Sequence, residues 1–480
     1  MANHRPSITK AAAERLDVII IGGGINGAGV ARDAALRGFR VALFEKSDFG
    51  SGTSSRSSKL IHGGIRYLEQ GRLGLVFEAI HEREILQRIA PHLTRPLPFI
   101  FPVYKGSRWP LSFIHIGIFL YDLLALSRNV QAHRMLSPEE AVKTVPGLKK
   151  EGLKGAALYY DGQMDDARLT LANILDARSN GAKAWNYTPV TGLIKSESGR
   201  IRGVYVRDSL TGEEAAVRAP VVINAAGPWV DEVCELDVPG KTPKTRGTRG
   251  SHIVIPPLTD KHALVIRSGK DNRILFIIPW EGMSLVGTTD IDDSTDPGKI
   301  RCPEEDRDYL IREARRFFPG HPIKAGDVIS SFAGVRPLVY SPGGHASLVS
   351  RESRITEGNS GLISITGGKY TTYRKIAEGV VNRIKRKIPE AGISGCVTKF
   401  KPLWGGDFAN LNDYIEETAY DTQKRYPLDA GQVRHLAETY GTKLHEVLQV
   451  AGERPGLTER LHPQLPHLKA EAVYAAREDS

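Results

Sequence analysis

Eight residues near the start of the chain, Gly22-Gly23-Gly24-Ile25-Asn26-Gly27-Ala28-Gly29, constrain its fold more than any other stretch. They follow Leu16-Asp17-Val18-Ile19-Ile20-Ile21, a nearly continuous apolar and β-branched run that predicts a parallel strand buried on both faces. An alanine-rich helix to about Arg37 comes next, then a second strand over 40–44 that ends at Glu45. Gly22 permits a tight turn, Gly24 lets backbone approach a pyrophosphate, and Gly27 lets the helix pack close to the strand. The helix N-terminus adds unpaired N–H groups and about half a positive charge for phosphates. Glu45, 18 residues beyond Gly27, stands where an acid is expected to hold ribose hydroxyls. The glycines alone could mark an ordinary helix start. Strand, turn, helix and acid together specify a bound dinucleotide.

The next segment separates a flavin from a nicotinamide. A nicotinamide domain ordinarily continues into another crossover helix and strand. Here Ser47-Asp48-Phe49-Gly50-Ser51-Gly52-Thr53-Ser54-Ser55-Arg56-Ser57-Ser58-Lys59 runs into Leu60-Ile61-His62-Gly63-Gly64-Ile65-Arg66-Tyr67-Leu68. A long run of hydroxyls and small residues suits wrapping a large, enclosed cofactor, and Leu60, Ile61 and Ile65 around His62 argue against a solvated loop. Here the chain resembles the FAD-dependent glycerol-3-phosphate dehydrogenases of the D-amino-acid-oxidase-like flavoprotein superfamily. The residues that carry the resemblance are GGGINGAG at 22–29, TSSRSSKLIHGGIRYLE at 53–69, APHL at 90–93, MDDARL at 164–169 and NAAGPWV at 224–230. They continue with GSHIV at 250–254, IPW and LVGTTD within 278–290, GVRPL at 334–338 and TGGKYTTYRK at 366–375, in the family's order.

The resemblance implies an α/β fold: a Rossmann-like FAD-binding domain interleaved with an antiparallel-sheet substrate domain, plus a C-terminal helical domain. The expected division is 16–90, 161–240 and 346–390 for FAD, 91–160 and 241–345 for substrate, and 400–480 for the helical domain. The family normally runs on past the end of this chain. Cofactor contacts are expected from Gly22, Gly24, Ile25, Asn26, Gly27, Glu45 and Lys46, and from Thr53, Ser54, Ser57, Lys59, His62 and Gly63. Further contacts are expected from Gly227, Gly367, Gly368, Lys369 and Thr371. The last four follow a strand over 361–366 that meets a helix through a double glycine, a geometry that can aim N–H groups at the electron-rich end of a reduced flavin.

Oxidation of glycerol 3-phosphate to dihydroxyacetone phosphate needs cations for a phosphate dianion and a base for the hydroxyl on carbon 2. The matched motifs offer Arg336, Arg351 and Lys369 as cations, with Arg336 set in an apolar frame that seldom leaves an arginine idle. His62, Arg66 and His252 are candidates for the reacting end. His252 is slightly favoured as base, with contact to the flavin as the other role for His62, and Arg66 would stabilise alkoxide or carbonyl. Electrons are expected to pass to a quinone. The alternative is an oxidase that uses dioxygen, whose family members tend to carry an insertion not seen here. An amine or amino-acid oxidase would share the fold but bind a carboxylate, and a tRNA-binding flavoprotein would need a basic stripe interleaved with aromatics that this chain lacks.

Composition limits the remaining choices. With 480 residues and 41% hydrophobic, the chain can bury a large core in two or three domains. A formal charge of +10 fits an anionic substrate or an acidic membrane surface better than nucleic acid. Cys234, Cys302 and Cys396 show no metal or redox spacing, and His81-Glu82 lacks the second histidine of a zinc-protease helix, so no metal is expected. The first 15 residues carry charges and no apolar block, which reads as a disordered arm without a signal peptide. Residues 110–126 are apolar but too short to span a bilayer. They read as a helix buried in the substrate domain, with a membrane-surface helix as the alternative. The Arg383–Lys387 cluster reads as a solvated helix face or an acidic-lipid contact. Asp165-Asp166 read as a helix cap. The resemblance implies a cytoplasmic enzyme held peripherally on the inner face of the membrane, and leaves a homodimer open.

Overall fold

The computed structural model describes residues 7–64, 67–68, 71–125, 131–240, 242–340, 353–389 and 394–479. Its first layer is a six-stranded sheet in the order β18 (Arg354–Glu357), β19 (Ile363–Thr366), β11 (Val221–Asn224), β1 (Val18–Ile21), β2 (Val41–Phe44) and β7 (Lys183–Trp185). All neighbours run parallel except β18 and β19. Both faces of β1 are covered, which is why it reads as an unbroken apolar run. Val18 and Ile20 join a core with helices α2 (Ile25–Leu36), α6 (Asp166–Ser179) and α9 (Tyr373–Lys387). Short alternating segments at 190–195, 202–207 and 215–218 predict a small meander, and Ile19 and Ile21 face one built of β8 (Val190–Lys195), β9 (Ile201–Arg207) and β10 (Glu214–Arg218).

The expected disordered arm is in part ordered. Ile8–Ala13 form a short helix, α1, started by Ser7 Oγ accepting from Thr9 N–H. Ile8 and Ala11, one turn apart, are fully buried against the meander, so two apolar residues at helical spacing suffice to dock it.

A second sheet has ten strands. Its main path is β16 (Ile291–Asp292), β12 (Thr245–Ile255), β15 (Met283–Gly287), β14 (Ile274–Trp280), β13 (Ala263–Arg267), β4 (Thr94–Tyr104), β6 (Leu153–Met164) and β3 (Leu60–Ile61). β17 (Ser330–Val339) pairs with β12, and β5 (Arg134–Leu136) with β6. The sheet is antiparallel except for β13 against β4. α5 (Pro138–Thr144) and α8 (Glu304–Phe317) flank it. α7 (Val230–Glu235) follows β11, and α10 (Leu411–Arg425), α11 (Ala430–Tyr440), α12 (Leu444–Gly452) and α13 (Lys469–Tyr474) make a C-terminal helical layer with its own core.

Residues 110–126 give another correction. The helix α4 (Leu111–Leu124) buries only Ile114, Ile118 and Tyr121, a single stripe at i, i+4 and i+7. Phe113, Ile116, Phe119 and Leu123 are exposed, Ile116 at 65%, so the helix lies on the molecule and not within it. α3 (Leu73–Ile89) packs beside it and leaves Leu73 and Phe77 exposed as well. Among the described residues, no helix is long and apolar enough to cross a membrane.

The two layers are pinned by a buried ion pair. Arg374 on α9 donates through Nε and Nη2 to both carboxylate oxygens of Glu82 on α3, at 2.8 and 2.6 Å, with both side chains at most 5% exposed. Removing one member of such a pair strands the other charge, which costs about 3–5 kcal/mol. Arg374→Met is therefore expected to lose hydrogen-exchange protection across α3 and α9 much more than Glu82→Gln, which leaves Arg374 paired with Glu378. Equal losses in the two variants would show that the pair does not tie the layers.

Candidate active site

Glycine geometry opens the site. A Cβ on Gly27 would lie 1.9 Å from the carbonyl oxygen of Gly22, and one on Gly22, whose φ is +106°, would lie 2.7 Å from that of Ala225. Only bare backbone lets the start of α2 meet the ends of β1 and β11 together. Ser54 Oγ accepts the N–H of Ile25 at 2.9 Å and so ties the hydroxyl-rich loop to the first turn of α2. Glu45 accepts from the N–H groups of Gly23 at 2.7 Å and Ser47 at 2.8 Å. Burial pushes its pKa up, against the pull of those two hydrogen bonds.

A cavity of about 510 Å³ runs from this turn to the face of the second sheet. At its glycine end lie Gly22, Gly24, Ile25, Asn26, Glu45 and Lys46; its wall holds Thr53, Ser54, Ser57 and Gly227. Its far end is lined by His62, Gly367, Gly368, Lys369 and Thr371, with His252 and Arg336 on the sheet. Thus all but three of the described candidates face one space. Gly27 stands behind the turn that it permits. Lys59 is turned away because its ammonium is paired with Asp166 and donates to the Ser55 carbonyl at 3.0 Å. Gly63 points its N–H outward to Tyr121 and Asp161. Arg66 and Arg351 lie outside the described residues.

Strand register explains how Arg336 and His252 meet. Thr248 pairs with Arg336, Gly250 with Gly334 and His252 with Phe332, so alternate residues of β12 and β17 share a face. A Cβ on Gly250 would lie 2.7 Å from Arg336 Nη2, so the glycine of GSHIV makes room for the arginine of GVRPL. A Cβ on Gly334 would lie 2.9 Å from Arg56 Cβ, and Thr53 Oγ1 donates to the Val335 carbonyl at 2.6 Å. The hydroxyl-rich loop is thereby laid along β17.

Two electrostatic facts were not legible in the sequence. Arg336 is paired with Asp290 at 3.0 Å and donates to the Thr289 carbonyl and Thr288 Oγ1, so its charge is partly balanced. Its partner sits in the LVGTTD block, whose closing acid was the available signal. Asp165 is the helix cap, accepting from Arg168 N–H, but Asp166 is fully buried and accepts from Ser57 N–H at 3.1 Å and Ser57 Oγ at 2.7 Å besides Lys59. It anchors the loop from below. Tyr67, with the Lys369 ammonium 3.8 Å over its ring centroid, Phe276 and Trp229 also line the cavity and carried no separate signal.

His252 fits the role of base poorly. Its ring is 2% exposed, stacks on Phe332 at 4.9 Å, and is 2.9 Å from Ser58 Oγ through Nε2. Burial, with Arg336 and Lys59 nearby, pulls its pKa down to about 3. His62 is only partly buried and its ring is 6.5 Å from that of Phe276. No group of three His, Cys, Asp or Glu residues able to hold a metal occurs among the described residues.

The cavity fits FAD by its own geometry. It combines a side-chain-free approach to a helix N-terminus, a buried acid beside it and a second glycine turn at the far end. Comparison with known proteins agrees. Residues 17–374 match the family described as FAD dependent oxidoreductase, and residues 396–480 match the C-terminal domain of alpha-glycerophosphate oxidase. The chain is 41% identical to a glycerol-3-phosphate dehydrogenase of Synechocystis sp. over 96% of this chain and 85% of that one. It is 40% identical to an aerobic glycerol-3-phosphate dehydrogenase of Staphylococcus haemolyticus, over 92% and 81%. The crystal structure of a glycerol-3-phosphate dehydrogenase from Bacillus halodurans complexed with FAD superimposes with a TM-score of 0.80 at 35% identity, over 98% of this chain and 84% of that one. An L-alpha-glycerophosphate oxidase from Mycoplasma pneumoniae shares the fold at 18% identity, with a TM-score of 0.61 over 82% of this chain and 98% of that one.

The low histidine pKa values have a pH signature. His92 is likewise pulled down to about 3, chiefly by burial and then by Arg168. An unfolded histidine binds its proton near pH 6.5, so below that pH the unfolded state takes up protons that these two folded imidazoles refuse. Stability is thus fully present above about pH 7 and falls toward pH 3, by up to about 1.4 kcal/mol per pH unit for each histidine. His252→Asn and His92→Asn are each expected to remove one proton's worth of slope from unfolding free energies measured between pH 7.5 and 5. An unchanged slope would mean that the imidazole titrates normally in the fold.

Proposed function

This chain belongs to the FAD-dependent glycerol-3-phosphate dehydrogenases, and from that premise we propose that it works at a membrane surface with a quinone as final electron acceptor. It is a glycerol-3-phosphate dehydrogenase or oxidase that uses FAD. Gly22, Gly24, Asn26, Glu45, Ser54 and the Gly367-Gly368 turn would hold the cofactor, which when bound supplies the acceptor for hydride from carbon 2 of the substrate.

The observation that carries the substrate reading is Arg336, held across Gly250 on the cavity face. Together with Lys369, and with Arg351 from the matched motif, it would bind the phosphate. Its pairing with Asp290 fixes the fork in place while leaving the arginine at the cavity wall. For the proton of the carbon-2 hydroxyl, the geometry supports His62 over His252, because a buried imidazole beside two cations resists protonation. His252 is better suited to accept or donate a fixed hydrogen bond. Arg66 would stabilise developing alkoxide, and the apolar wall of Val265 and Phe276 keeps water from the reacting carbon.

The membrane reading is supported by α4 and its neighbour α3. Leu73, Phe77, Phe113, Ile116, Phe119 and Leu123 are all exposed large apolar side chains on two touching helices. Arg108 is an exposed base adjoining this surface, and the overall charge of +10 favours an anionic bilayer. The opposite face of α4 reaches the loop that carries His62, through Tyr121. A lipid-soluble acceptor could therefore approach within about one helix diameter, ~10 Å, of the cavity wall.

Anaerobic addition of glycerol 3-phosphate is expected to bleach the yellow protein, and a quinone analogue to restore the colour faster than dioxygen. Rapid peroxide formation without quinone would favour the oxidase reading. Arg336→Ala is expected to raise KM for glycerol 3-phosphate by about 10- to 100-fold, the worth of one charge-assisted contact, with FAD retained. Unchanged kinetics would remove Arg336 from the phosphate site. Wild-type protein should float with anionic liposomes, less so at high salt, and an Ile116→Asp/Phe119→Asp variant should not. Equal flotation of both would shift the membrane contact to another surface.

A further inference from the structure

One buried cluster of ionisable side chains lies outside the cavity and has no role in the chemistry proposed above. Arg83 from α3, Tyr121 from α4 and Asp161 from β6 meet where none is more than 4% exposed. Arg83 Nη1 donates to Asp161 Oδ1 at 2.7 Å and to the Tyr160 carbonyl at 3.3 Å. The Tyr121 hydroxyl donates to Asp161 Oδ2 at 2.9 Å, and burial keeps it protonated. These groups converge on one backbone amide. Gly63 N–H lies 3.0 Å from Tyr121 Oη and 3.2 Å from Asp161 Oδ1.

The fit at that amide is tight. A Cβ on Gly63 would lie 2.2 Å from Tyr121 Oη and 2.6 Å from Ile80 Cγ1, so the glycine is pressed against both helices. His62 is its immediate neighbour and lines the cavity; Gly64 and Tyr67, just beyond, line it too. Buried ion pairs contribute little net stability compared with apolar residues of the same shape. What this one does supply is direction: an anionic acceptor, oriented by donors on both sides, grips a single peptide N–H.

The geometry points to Tyr121 and Asp161 as positioning residues for His62, setting the aim of its imidazole through the Gly63 amide. This rests on His62 as the proton acceptor in the reading above. Hydrogen-bond geometry at a reacting centre tolerates little displacement, and a 1 Å misplacement costs about 100-fold in rate.

The test is stopped-flow, anaerobic flavin reduction by glycerol 3-phosphate in the holoenzyme. Tyr121→Phe removes one hydroxyl and keeps the ring; the limiting rate of bleaching is expected to fall about 10-fold, with KM held within about 2-fold and FAD absorbance unchanged. In a His62→Ala background the same substitution should add no further loss, because the group it aims is gone. Tyr159→Phe, which alters a neighbouring buried phenol edge-on to Tyr121, is the control with an unchanged rate. A Tyr121→Phe enzyme that melts earlier but keeps its full rate would overturn the inference, as would rate losses that multiply in the double variant. His62→Ala with an undiminished rate would instead refute the base assignment, and the positioning role with it.

Discussion

Bare backbone at the start of α2 is the constraint on which the rest of the site depends. With the Gly27 Cα facing the Gly22 carbonyl, a single methyl group would push the helix off the strand ends. β1 lies between β2, which follows it in sequence, and β11, which arrives some two hundred residues later. Chain order reverses there, and a crevice opens beyond the carboxyl ends of the strands. The helix terminus can point into that crevice only if Gly22 and Gly27 stay clear of it. Ser54, Glu45 and the Ala225–Gly227 turn then furnish its rim.

The loop from Thr53 to Lys59 converts that crevice into an enclosed site. It is fastened to the first layer by Ser54 on Ile25, to the second by Thr53 on Val335 and Ser58 beside His252, and from beneath by Asp166. Lys59 is held with φ +59°, a conformation uncommon for a residue with a side chain, and its ammonium is tied to Asp166 and the Ser55 carbonyl. A segment that looks solvated by composition is thus the seam between the two sheet layers. Its hydroxyls serve the protein as much as any ligand.

Much of this was readable from residue patterns, for identifiable reasons. The β1–α2–β2 unit was legible because sterics leave few sequences able to build it, and the 190–218 meander because period-two alternation has one structural meaning. Arg336 and His252 could be named as candidates from motifs, yet their surroundings could not. The counter-ion Asp290 and the depressed basicity of His252 arise from register across β12, β15 and β17, which no local pattern reports. Asp165 and Asp166 show the limit most plainly: adjacent and chemically identical, one caps a helix and the other is a buried anchor, because α6 turns their side chains in different directions. α4 misled in the opposite sense, since apolar composition alone does not distinguish a buried helix from one with its back to solvent.

Charge around His252 follows from the same packing. Lys59 and Arg336 flank His252, and each is balanced by a carboxylate, Asp166 and Asp290. A third positive charge at His252 would sit in a poorly solvated space with no anion of its own, so the ring stays neutral. Neutrality has a consequence for an incoming dianion. On the reading proposed above, the attraction it would meet comes from Arg336 and Lys369 and not from the His252 imidazole. Titration of His252 would then add no pH dependence to phosphate binding near neutrality. Pairing Arg336 with Asp290 sacrifices some field strength, and in return the guanidinium is held in place at the cavity wall.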